Sequence, residues 1–159
     1  MEQIVADQLV AGLVKTQKQI VVAGAIVVDG KGNVLLTRRH QPELPEAHGK
    51  WEMPGGKVEF NESPHVTATR EVFEETGYRI AVDQTRIAVK AMVWEFTERD
   101  VHTVLIAYRA TVIGGELKIP GGAISDARWW PINQIPISHM LPLDDEFVWE
   151  LAAERLADK

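Results

Sequence analysis

Residues 55–78 read GGKVEFNESPHVTATREVFEETGY, the most informative run in the chain. Its second half predicts a helix over 64–76. Ser63 is a good N-cap, Pro64 sits where a missing N–H costs little, and Gly77 supplies a left-handed stop. At about 100° per residue, Glu74 falls about 60° to one side of Glu71 and Glu75 about 40° to the other. Three carboxylates therefore share one sector of the helix, with Arg70 beside Glu74. Val66, Ala68, Val72 and Phe73 offer a ragged apolar surface on the opposite side.

Like charges on one helical face repel, and each i,i+4 pair costs about a few tenths of a kcal/mol. These three also occupy the last turn, where the helix dipole disfavours negative charge. A hard divalent cation offsets both effects, because Mg²⁺ takes oxygen ligands from a few carboxylates and from substrate phosphates. A solvated acidic face with Arg70 as its ion-pair partner satisfies the same helical geometry. Geometry alone leaves both readings open.

The full spacing separates them. Gly56, five residues, Glu62, seven residues, Arg70-Glu71, then Val72, Glu74-Glu75, Gly77 and Tyr78 resemble the Nudix box at all nine of its constrained positions over 23 residues. The resemblance extends to a hairpin before the box, to the entry Trp51-Glu52-Met53-Pro54-Gly55-Gly56, and to Ala127-Arg128-Trp129-Trp130-Pro131-Ile132. It implies an α+β Nudix fold, an α/β/α sandwich on a mixed β-sheet. It further implies Glu71, Glu74 and Glu75 as the catalytic, metal-holding set, Glu74 serving as a further ligand or as a base on the attacking water. The Gly55 carbonyl would complete the coordination of Mg²⁺, or of Mn²⁺ in its place. Arg70 and Glu62 would position the carboxylates. Gly55 and Gly56 suit close backbone approach, since they lack Cβ. Arg39, Glu52 and Gly56 would line the substrate cleft, and a regular strand would turn Arg38 to the other face from Arg39.

Outward from the box, residues 19–29 are rich in β-branched side chains and end at Asp29-Gly30-Lys31-Gly32, a strong hairpin signal into 34–39. Residues 40–50 read as a loop and 51–53 as a short extended piece. Strands are expected over 86–96 and 101–112, joined across 97–100, and a shorter one over 127–130. Gly114-Gly115 and Pro120-Gly121-Gly122 mark a loop, and 144–156 a closing helix. Apolar spacing at Ile4, Val5, Leu9, Leu13 and Val14 predicts a helix over 2–16. The expected organisation is an N-terminal helical extension over 1–18 and a single Nudix domain over 19–159.

Composition narrows the chemistry. The 159 residues include no cysteine, which excludes thiolate catalysis, Cys zinc sites and disulfides. The net charge of −6 without a basic run argues against a long nucleic acid as partner, and the apolar runs are too short to span a membrane. The N-terminus lacks the basic-then-apolar order of a secretion signal, so a cytoplasmic protein is expected. A nucleotide is the expected small-molecule partner, and the family resemblance allows a homodimer.

Trp51, Trp94, Phe96, Trp129 and Trp130 are candidates to stack a base. A further catalytic glutamate is sought at Glu95, Glu98 or Glu116, and His40, His48, His65, His102 and His139 show no ligand spacing. The leading expectation is Mg²⁺-dependent conversion of a nucleoside triphosphate to the monophosphate and diphosphate. An ADP-ribose or other nucleoside diphosphate sugar pyrophosphatase is the alternative, weakened by the absence of proline in 92–96. From another class, a non-catalytic Nudix-fold nucleotide-binding regulatory module is the third, opposed by the complete set of box glutamates.

Overall fold

A computed structural model describes residues 14–153. In chain order the elements are β1 (Thr16–Val28), β2 (Asn33–Arg39), β3 (Trp51–Glu52), β4 (Gly55–Lys57), α1 (Pro64–Thr76), β5 (Tyr78–Glu95), β6 (Arg99–Gly115), β7 (Ile124–Pro131) and α2 (Asp144–Ala152). The sheet runs β3-β2-β1-β6-β5, with β4 on β1 and β7 on β2. It is mixed, because β1 and β6 are parallel while the other pairs are antiparallel.

Strand alternation builds the layers. Successive side chains point to opposite faces, so Ala25 and Val27 of β1 join Leu35, Val72, Ile80 and Ala110 under α1. Ile26 and Val28 join Val34, Leu36, Phe147, Val148 and Leu151 under α2. The α/β/α sandwich follows from a central strand that is apolar on both faces.

The hairpin at 29–32 closes as the sequence indicates. Asp29 Oδ1 accepts the Lys31 and Asn33 N–H groups at 2.8 and 3.1 Å, and Gly30 and Gly32 take φ of 74° and 83°. The two strands then part after Val28 and Val34. β4 fills the gap beside β1 and β3 the gap beside β2, with the Pro54 carbonyl accepting the Ala25 N–H at 3.1 Å. The box therefore enters from inside a fork in the sheet.

Several boundaries differ from expectation. Most of the helix expected over 2–16 lies outside the described residues. Val14 and Lys15 are not helical, and Thr16 already opens β1, whose whole length pairs with β6. β5 begins at Tyr78, directly after the helix stop, because β6 extends far enough to pair with it. The Gly114-Gly115 pair accordingly ends a strand rather than opening a loop. α2 ends at Ala152, and the last three residues of the helix expected over 144–156 lie outside the described residues.

α1 has its expected bounds and its Gly77 stop at φ 77°. Ser63 occupies the N-cap, yet its hydroxyl makes no capping bond. The buried face also differs. Val66 and Phe73 are 46% and 49% exposed, while Thr67 and Thr76 are buried with Ala68 and Val72. The threonine hydroxyls satisfy themselves locally, Thr76 donating to the Val72 carbonyl at 2.6 Å and Thr67 to Glu62. Val72→Ala is accordingly expected to lose about 2 kcal/mol by cavity formation. Phe73→Ala should lose less than about 1 kcal/mol, as is usual away from the core. Urea unfolding of the two variants checks the order, and the reverse order would contradict this packing of α1.

Candidate active site

The fork sets the site. At Gly24, an added Cβ would meet the Pro54 carbonyl oxygen at 2.7 Å. At Gly55 it would meet the Ala23 oxygen and the Gly24 Cα, both at 2.6 Å, so the two backbones touch only because both positions are bare. Gly56 lies against a side chain instead. Its Cβ would fall 2.4 Å from the Glu71 carboxyl carbon. The Glu71 carboxylate thus rests in the space a side chain at Gly56 would fill. Glu75, one helical turn on, accepts the Gly55 N–H at 3.3 Å.

Arg70 organises the remaining box acids. It makes ion pairs with Glu62 and Glu71 at 2.9 Å and with Glu74 at 3.2 Å. Arg70 and Thr67 hold Glu62 down to about 2, so this tie between loop and helix stays ionised at any ordinary assay pH. Glu74 is turned outward, its side chain 54% exposed.

Burial works the other way on the inner acids. It raises Glu71, and it pushes Glu75 well above the usual carboxylate range, helped by the charges of Glu52 and Glu71. Glu52 is likewise raised by burial and opposed by Arg39, whose guanidinium pairs with it at 2.8 Å and also donates to Gln41 at 2.9 Å. Burial, then the Glu52 charge, lifts Asp144 at the start of α2, which accepts the Met53 N–H. Four carboxylates thus meet poor solvation, Glu52, Glu75 and Asp144 near Arg39 and Glu71 beside Arg70.

The donor set fits a hard divalent cation. Every donor offered is oxygen, the Glu71 seat against Gly56 is made by a missing Cβ, and Glu75 stays costly to ionise without positive charge nearby. The acids are not gathered on one point as they lie. Among the described residues no three acidic or histidine side chains stand together at ligating distance, and Glu74 is held away by Arg70.

Beside the fork opens a cleft of about 330 Å³. Its floor is the α2-facing side of β1, β6 and β5 beyond the reach of α2, including Ile20, Val22, Met92, Trp94 and Phe96. Arg39, Glu52, Asp144 and the Gly55–Lys57 strand line its inner end. A β-bulge between Arg38 and Arg39 helps separate them, with Arg38 donating to the Gly49 carbonyl instead.

Of the aromatic candidates, Trp94 and Phe96 line this cleft. Trp51 packs edge-on against Trp130 at 5.2 Å, and Trp129 lies on Tyr78 at 5.9 Å, so these three belong to the core and its margin. Glu95, Glu98 and Glu116 do not line it, and the carboxylates that do are Glu52 and Asp144. Sequence reasoning missed Asp144, for which the only signal was an Asp-Asp pair opening the last helix. It also missed Lys57, which follows the paired glycines. His40 and His48 pack on each other, while His102 and His139 bond to Gln19 and Ser138.

A family model described as the NUDIX domain matches residues 18–151. The chain belongs to the NUDIX family. It is 36% identical over 126 residues to "Putative 8-oxo-dGTP diphosphatase 2" of Mycobacterium tuberculosis, covering 73% of this chain and 83% of that protein. Its fold is similar to the crystal structure of MutT NUDIX hydrolase from Burkholderia pseudomallei, with TM-score 0.66 and 25% identity over 84% of this chain and 98% of that one. The MutT protein from Methanosarcina mazei Go1 is similar too, with TM-score 0.62 and 26% identity over 86% and 94%. This NUDIX chain is thus a hydrolase acting on phosphoanhydride bonds of nucleotides. Among its described residues no helix is long and apolar enough to cross a membrane.

Proposed function

We propose that the substrate is a nucleoside triphosphate, hydrolysed to the monophosphate and diphosphate with Mg²⁺ as cofactor. One observation carries this reading. A single cleft runs from the Gly55–Gly56 backbone, where Glu71 and Glu75 rest, to an apolar floor with Trp94 and Phe96. Its volume is at the lower end of small-ligand sites, which suits one nucleotide. The similarity to a protein named as an 8-oxo-dGTP diphosphatase supports the same class.

Glu71, Glu75 and the Gly55 carbonyl would hold the cation, with Glu74 available once released from Arg70. When bound, Mg²⁺ or Mn²⁺ neutralises charge on the phosphates and makes the attacking water more acidic. Arg70 and Glu62 fix the helix against the loop, so the carboxylates need no rearrangement of backbone. Glu52 faces the cleft, and its burial-raised proton affinity suits it to accept the proton of that water. Water attacks phosphorus, one phosphoanhydride bond breaks, and the bridging oxygen departs with the product whose phosphorus is not attacked. Arg39 and Lys57 supply positive charge along the phosphates.

Arg39 has a second task, because it neutralises the buried Glu52. Arg39→Ala is therefore expected to raise KM for nucleoside triphosphates about tenfold and to lower stability by about 1–3 kcal/mol. Adding Glu52→Gln should restore the stability without restoring KM. An unchanged KM in Arg39→Ala would leave Arg39 with the structural task alone. Turnover with product analysis over a panel of nucleoside triphosphates, ADP-ribose and dinucleoside polyphosphates tests the substrate class. Exclusive cleavage of the sugar-linked diphosphates would overturn the triphosphate reading.

A further inference from the structure

The cleft has an outer end to which diphosphate chemistry gives no task. Side chains line up across it in rows. Val22 stands level with Leu105, Ile20 with Thr103 and Met92, and Lys18 with Val101 and Trp94. Arg99 lies beyond them, over the Phe96 ring at 5.2 Å. Gly55 and Gly56 cross β1 at Gly24 and Ala23, so at about 3.3 Å per residue Lys18 sits roughly 20 Å along the strand from the box. Lys18 and Arg99 are long side chains that can lie back over the apolar floor, leaving a span comparable with an extended nucleotide.

The polar groups at this end are one-sided. A lysine ammonium and an arginine guanidinium donate hydrogen bonds and accept none. Lys15 nearby is already paired with Asp100 at 3.0 Å. Among the described residues neither Lys18 nor Arg99 has a carboxylate partner, and Glu95 points to the other side of the sheet from Trp94 and Phe96. At the inner end acceptors join the donors, with Glu52 and Asp144 set beside Arg39 and Lys57. Among the described residues, the charged side chains lining the cleft are thus of both signs deep inside and positive at its mouth, in a chain whose overall charge is −6.

We propose that Lys18 and Arg99 form a donor-only subsite for an acceptor oxygen on the part of the substrate farthest from the scissile linkage, favouring bases that present a carbonyl there over bases that present an amino group. This inference rests on the nucleotide reading of the cleft. A phosphate oxygen at the ribose 3′ position has the same acceptor chemistry, and the two sources separate by experiment.

Binding to the full chain is measured by calorimetry for IMP, AMP and adenosine 3′,5′-bisphosphate, which requires no turnover. IMP and AMP differ at the base edge in oxo against amino and, beside it, in an N1–H donor against an N1 acceptor. The parental protein is expected to bind IMP about tenfold more tightly than AMP, as one hydrogen bond to a charged donor allows. Lys18→Met/Arg99→Met should bring the two within about twofold, and Lys18→Gln and Arg99→Gln should each lose part of the preference. A preference for the bisphosphate over AMP that vanishes in the same double variant would assign the oxygen to a phosphate. Equal parental binding of all three, tighter binding of AMP than of IMP with no preference for the bisphosphate, or a preference kept by the double variant, would overturn the subsite. Turnover of the parental protein is scored separately. If it cleaves no nucleoside triphosphate while the binding preference holds, the reaction assignment fails and the subsite stands.

Discussion

Glu75→Gln is expected to lower kcat with Mg²⁺ by about 10²–10³-fold, the scale on which removing a charge-stabilising group acts. Glu71→Gln should do the same. In the absence of metal, both variants are expected to melt at the parental temperature or above it. The reason is electrostatic. Burial and the charges of Glu52 and Glu71 push Glu75 well above the usual carboxylate range, so a neutral amide of the same shape relieves repulsion. A carboxylate that served only the fold would show the opposite pair of results, namely full turnover and a lowered melting temperature. Activity at the parental rate in either variant would end its assignment as a metal ligand.

The paired glycines predict a second large effect, and they predict it differently for each member. Gly55→Ala places a methyl group 2.6 Å from the backbone of Ala23 and Gly24. Neither strand can move without opening the fork, so a loss of about 1–3 kcal/mol or more is expected from overpacking. Gly56→Ala places its methyl group on the Glu71 carboxylate. That group ends a flexible side chain and can swing away, so the fold should hold while turnover falls about 100-fold through loss of placement. Thermal melting and Mg²⁺-dependent turnover of both variants separate the cases. Parental turnover in Gly56→Ala would mean that the seat of Glu71 beside Gly56 has no part in catalysis.

Much of this protein was legible without coordinates because its rules are local. The α1 bounds follow from Pro64 and Gly77, the first hairpin from Asp29 and its two glycines, and the shared sector of Glu71, Glu74 and Glu75 from helical periodicity alone. Arg70 reaches Glu74 because residues four apart on a helix are neighbours. Residue type misled where packing and hydrogen bonding compete. Thr67 and Thr76 displace Val66 and Phe73 from the buried face because their hydroxyls bond to nearby acceptors, the carboxylate of Glu62 and the backbone of Val72, and so enter the core without penalty.

The helix, its acidic face, the Gly55-Gly56 turn and the family all follow from the order of residues, since each depends on contacts within a few residues or on a fixed spacing. Long-range pairing settles that β1 and β2 part to admit the box. It also settles that Asp144 arrives beside Glu52 from the far end of the chain and that Lys18 and Arg99 share the mouth of one cleft. Those meetings depend on strand register between segments tens of residues apart. No local pattern encodes that register, because it is set by which faces of the strands the two helices cover.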